Sequence, residues 1–82
     1  MQDLARTPQQ IGAIIRHDRK RRGLSQGALG EIAGLRQETI SLIETGNPAT
    51  RLDTILSLLG ALDLEIRIVP RSRNRDIEDL IR

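Results

Sequence analysis

The chain holds no cysteine and no aromatic residue. Without thiols it can form neither a disulfide nor a thiolate metal site. Its single histidine, His17, has no companion ligand in the sequence and reads as a surface residue. Without Phe, Tyr or Trp there is no platform on which unpaired bases could stack, which argues against an RRM-like or OB-like single-strand binder. The core must be built from Ile, Leu, Val and Ala. No apolar run approaches the roughly 18 residues of a membrane span. Met1 to Gln10 lack the apolar stretch of a signal peptide. These absences predict a cytoplasmic protein with no membrane association. Scattered carboxylates and one His give no nucleophile, base or metal constellation, so the sequence predicts no enzyme, no cofactor and no metal.

What is present fits one small domain. The chain has 82 residues, and a domain of that size buries a modest core and is stable with little to spare. Dimerisation would help it. Its formal net charge is +2 and its pI is near 10.4, because the bases are almost all Arg. A basic balance favours an anionic partner.

Residues 1–6 read as a flexible arm. Thr7-Pro8-Gln9-Gln10 is a helix start: Thr7 can cap, Pro8 suits the first helical position, and Gln10 can complete a capping box. The first helix is predicted to run to about Arg22, with Ile11, Ile14 and Ile15 inward and Gly23 as its stop. The basic run from Arg16 to Arg22 has two readings. It is either a solvated face that complements the helix dipole or a source of phosphate contacts, and Asp18 dilutes it. Ser25 caps a second helix of about Gln26 to Ala33, with Leu29 and Ile32 inward. Gly34 supplies a left-handed turn. A third helix of about Gln37 to Thr45 follows, with Ile40 and Ile43 inward, and Gly46-Asn47-Pro48 breaks it. Thr50 is placed to cap a fourth, about Arg51 to Leu62, carrying Leu52, Ile55, Leu56, Leu59 and Leu62. Leu64 to Val69 then alternates apolar and charged residues, a strand signal ended by Pro70. Residues 71–82 form a charged tail. In it Asn74 could cap a turn that puts Ile77, Leu80 and Ile81 on one face. That tail either orders on a partner or is a solubilising extension.

Leu24 to Gly46 is thus a helix, a glycine turn and a second helix. Gly30 lets the two helices approach, and Leu29, Ile32, Leu35, Ile40 and Ile43 lock them together. Arg36, Gln37, Glu38, Ser41 and Thr45 are left facing outward. Ser25-Gln26, Gly34, Thr39-Ile40-Ser41 and Glu44-Thr45-Gly46 resemble the helix-turn-helix of the phage-repressor-like (XRE/Cro-type) family. The resemblance covers roughly residues 7–62 and implies a mainly α, four-helix domain that places its third helix in the DNA major groove. It implies DNA contacts from Gln26, Arg36, Gln37, Glu38, Thr39 and Ser41. Gln26 would meet a phosphate, Gln37 would read a base, most simply adenine, and Arg36 and Ser41 would reach base edges or phosphates. It also implies a structural ion pair between Arg19 and Glu44. The chain departs from the pattern at Arg36, where Ser or Thr is usual, and at Gly30, where Ala is usual. Glu38 also departs, and either accepts from a cytosine amino group or excludes wrong sequences by repulsion.

The strand at 64–69 and the tail after it are similar to the layout of HipB-type antitoxins. In those proteins the strand pairs with its symmetry mate. A lone strand leaves open edges, so Leu64, Ile66 and Ile68 are the predicted homodimerisation face, the alternative being that the strand packs on its own domain. The domain would then span residues 7–70. The resemblance implies a homodimer that binds double-stranded operator DNA, represses its own operon and neutralises a HipA-like kinase toxin. The alternative is a stand-alone repressor of the XRE family with no toxin partner.

Overall fold

Thr7 opens the first helix through its side chain. Its Oγ1 accepts from the Gln10 N–H at 3.0 Å, and Pro8 takes the first helical position. The Gln10 side chain reaches back to the Arg6 N–H, one residue short of a closed capping box. In the computed structural model, which describes residues 3–71, this helix is α1 (Pro8–Arg21). It is followed by α2 (Gln26–Ala33), α3 (Gln37–Glu44) and α4 (Leu52–Ala61). Ser25 caps α2 by accepting from the Ala28 N–H at 3.0 Å. Gly34, at φ 72°, turns the chain from α2 into α3.

The α1 helix packs on α3, and α2 packs on both α3 and α4. Between them lies one aliphatic core. Ile15, Leu29, Ile40, Leu58 and Leu62 are fully buried, and Ile43, Ile55 and Leu59 complete it. Two glycines set how closely the helices approach. A Cβ on Gly12 would sit 2.3 Å from the Ile43 carbonyl oxygen, so α1 can lie against the end of α3 only with hydrogen there. A Cβ on Gly30 would sit 2.5 Å from the Leu35 carbonyl oxygen, so the alanine usual at that position would force the turn apart.

Three inward assignments do not hold. Ile32 is 59% exposed, because Leu29 and Gly30 already fill the inner face of the short α2. Leu52 and Leu56 are 67% and 48% exposed. The buried arc of α4 is Ile55, Leu58, Leu59 and Leu62, and Leu52 and Leu56 lie at its edge. Thr50 does not cap α4. Its hydroxyl donates to the Asn47 carbonyl at 3.0 Å, and Arg51 stands at the cap without a side-chain capping bond.

The end of α4 sets the direction of the chain beyond it. Asp63 takes the left-handed conformation at φ 58°, the Asp63 N–H donates to the Gly60 carbonyl, and the Leu64 N–H donates to that of Leu59 at 2.8 Å. This is a Schellman closure with Asp where Gly is usual. It tucks Leu64 against the core of its own domain. Leu64 is therefore half-buried, while Ile66 and Ile68 are exposed. Past Leu64 the chain forms no strand among the described residues, since a ladder needs a neighbouring strand to accept its hydrogen bonds. Asn74, Ile77, Leu80 and Ile81 lie outside the described residues. None of the described helices is long and apolar enough to cross a membrane.

Candidate nucleic-acid interface

The two eight-residue helices α2 and α3 are too short to hold themselves and depend on what clamps them. The clamp is Arg19, on the last turn of α1. Its Nε donates to Glu44 Oε2 at 2.6 Å and its Nη2 to Glu44 Oε1 at 3.0 Å. Its Nη1 donates to the Leu24 carbonyl at 2.8 Å. One guanidinium thus ties the end of α1 to the end of α3 and to the loop that enters α2. The two side chains are only 9% and 2% exposed, and no buried side-chain polar atom among the described residues lacks a partner. The hydrogen bond to Glu44 holds the Arg19 guanidinium above its ordinary pKa, against the opposing cost of burial. A desolvated pair of this kind serves geometry more than stability, but losing one partner strands the other charge.

Clamped this way, α3 buries Ile40, Ile43 and Glu44 and turns the opposite face outward. Gln37, Ser41 and Thr45 follow one another at four-residue spacing, which makes a single stripe on a helix. Gln37 and Thr45 are exposed and Ser41 partly so. Arg36 and Glu38 are exposed at the start of the helix, and Thr39 is half-buried at its flank. The Arg36 side chain makes no capping bond. The Gln37 side chain passes over Gly27, whose missing Cβ would lie 3.8 Å from Gln37 Oε1. Of the residues expected to contact DNA, Arg36, Gln37 and Glu38 are thus exposed, and Gln26, Thr39 and Ser41 half-buried.

Gln26, expected to meet a phosphate, also makes a contact within the fold. Its Nε2 donates to Glu44 Oε1 at 3.2 Å, so it joins the buried pair. The motif gave Gln26 and Glu44 separate roles, and nothing in their spacing signalled the contact. The basic run also resolves into parts. Asp18 is buried and accepts from Arg21 at 2.6 Å and from Arg22 at 2.7 Å. Burial works against its charge, but hydrogen bonds from the two arginines outweigh it and hold its carboxyl below the ordinary range. The three- and four-residue spacings from Asp18 carried that signal. Arg16 and Lys20 remain exposed. Among the described residues no cluster of His, Asp and Glu could hold a metal ion.

Known proteins share this fold. A helix-turn-helix family model (HTH_3) matches residues 15–69. The uncharacterised HTH-type transcriptional regulator y4mF of Sinorhizobium fredii is 33% identical over 70 residues, which cover 85% of this chain and 92% of that protein. Among solved structures, a HipB–O4 20mer complex superposes with a TM-score of 0.80 at 26% identity. The HipA–HipB–O2–O3 complex superposes with a TM-score of 0.77 at 29% identity. Each of these two likenesses covers 88% of this chain and 100% of the matched one. The chain belongs to the XRE/Cro-type helix-turn-helix family of DNA-binding regulators and has the fold of HipB.

Proposed function

We propose that the protein is an operator-binding antitoxin that represses its own operon and neutralises a HipA-like kinase toxin. In this reading Gln37 and Ser41 on α3 read base edges from the major groove, and Arg36, Thr39 and Glu38 adjust the target. Gln26 meets a backbone phosphate. Two copies associate through the 64–69 segment, with Ile66 and Ile68 as the contacting side chains, and place their α3 helices about 34 Å apart on a palindromic site. Exposed arginines and Lys20, facing phosphates, supply the salt-sensitive affinity.

The observation that carries the antitoxin reading is the apolar surface beyond the DNA-facing helices. Leu52, Leu56, Ile66, Ile68 and Val69 are all about half exposed or more, and Ile68 is 96% exposed. The family match runs through this segment to residue 69. A DNA-binding face alone would not require it, whereas large exposed apolar areas mark surfaces for protein contacts. The likeness to HipB in a complex with HipA supports the same reading. The y4mF relative, a transcriptional regulator by its name, supports the alternative of a stand-alone repressor.

Co-expression with the product of the adjacent reading frame separates the two. The antitoxin reading predicts that a kinase-like neighbour co-purifies with this chain and that the complex still shifts a duplex from the shared upstream region. Binding of that duplex with no co-purifying neighbour would leave the stand-alone repressor.

A further inference from the structure

We infer that Glu44 is a positioning residue for DNA contact, acting through the amide of Gln26. The inference rests on the reading that Gln26 meets a backbone phosphate. Gln26 is the first residue of α2, half-buried, and its Nε2 donates to Glu44 Oε1 at 3.2 Å. That same oxygen accepts from Arg19 Nη2 at 3.0 Å, while Oε2 accepts from Arg19 Nε. Arg19 thus fixes the carboxylate, and the carboxylate faces the amide.

An ionised carboxylate can only accept hydrogen bonds. The end of the Gln26 amide that faces Glu44 must therefore be its nitrogen, and the carbonyl oxygen must point elsewhere. An amide nitrogen carries two N–H groups. One is committed to Glu44, and the other is left to donate to a phosphate oxygen. Were the amide reversed, its carbonyl would face the carboxylate and both oxygens would repel. Glu44 thus selects the orientation in which Gln26 offers a donor at the DNA backbone. Arg19 also cancels the charge that Glu44 would otherwise place beneath an anionic ligand.

Glu44→Gln tests this, because it replaces one acceptor oxygen by an N–H donor and removes the rule for which end of Gln26 faces inward. A double-mutant cycle is measured by fluorescence anisotropy on the duplex from the chain's own upstream region, beside an unrelated duplex. Gln26→Ala is expected to weaken binding about five- to tenfold, as for a lost hydrogen bond to a charged group. Glu44→Gln is expected to weaken it about threefold or more on both duplexes, since phosphate contacts carry no sequence information. In the Gln26→Ala background, Glu44→Gln should change affinity less than about 1.5-fold, because the residue it acts through is gone. An equal loss in both backgrounds would overturn the inference. No effect of Gln26→Ala would instead overturn the phosphate reading beneath it. Should Glu44→Gln fail to fold, side-chain 15N relaxation of the wild-type protein decides. A Gln26 amide more rigid than that of exposed Gln37 supports the inference, and equal mobility overturns it.

Discussion

The α2–α3 face and the surface from α4 to residue 71 are built on opposite terms. The first sets a polar stripe of Gln37, Ser41 and Thr45 beside exposed Ile32 and Leu42, over an interior whose polar groups are satisfied, with Arg19 bonded to Glu44 and to Leu24, and Gln26 bonded to Glu44. The second leaves aliphatic side chains in solvent, among them Leu52, Ile66 and Ile68. A surface that must present hydrogen-bonding groups at set positions needs a rigid support. A surface that gains from burying area needs only to be apolar and accessible. Substitutions in the buried support of the first should therefore register in folding, and substitutions on the second in association.

The largest effect should come from the clamp. Glu44→Ala leaves the Arg19 guanidinium buried without its partner and is expected to cost about 3–5 kcal/mol of folding stability. Urea denaturation measures it. For a domain this small such a loss approaches the whole of its stability. On the other surface, Ile66→Asp with Ile68→Asp should leave the fold within about 1 kcal/mol of wild type, since both positions are exposed. Sedimentation equilibrium should show wild-type dimers at micromolar concentration and monomers for the double variant. Should the pair unfold the domain as the clamp variant does, the contrast between the two surfaces fails.

The smallest effect concerns Asp18. Its folded pKa lies below the unfolded value of about 3.9, which makes its stabilising contribution complete above that pH. The contribution is lost as pH falls through the folded value. Acid titration of stability should therefore show a decline below about pH 4 that Asp18→Asn flattens.

The four helices were legible because their caps and stops are chemical. Thr7, Ser25 and Gly34 act where their side chains, or the lack of one, predict. Helix α4 was harder. Its leucines span a wider arc than one core uses, and periodicity cannot tell the buried edge from the exposed one. Periodicity therefore misses Leu58 and places Leu52 and Leu56 inward. Alternation puts Leu64 in a strand, and the left-handed Asp63 turns it onto the core. That conformation is uncommon for a residue with a side chain and leaves no periodic trace. At the candidate site, Arg19 pairs with Glu44 as the family resemblance implies. The Gln26 contact depends on how α2 meets the end of α3, and the close approach at Gly12 on how α1 lies across it, both relations between distant segments.

Everything proposed for operator recognition depends on the outward stripe of α3 reading bases, with Gln37 as its principal reader. The decisive measurement is the affinity of Gln37→Ala for a panel of duplexes that vary each base pair of the operator. A loss of about 1–3 kcal/mol is expected on the cognate duplex, with relaxed preference at one base pair in each half-site and the fold unchanged. An unchanged affinity and an unchanged base preference would contradict the assignment.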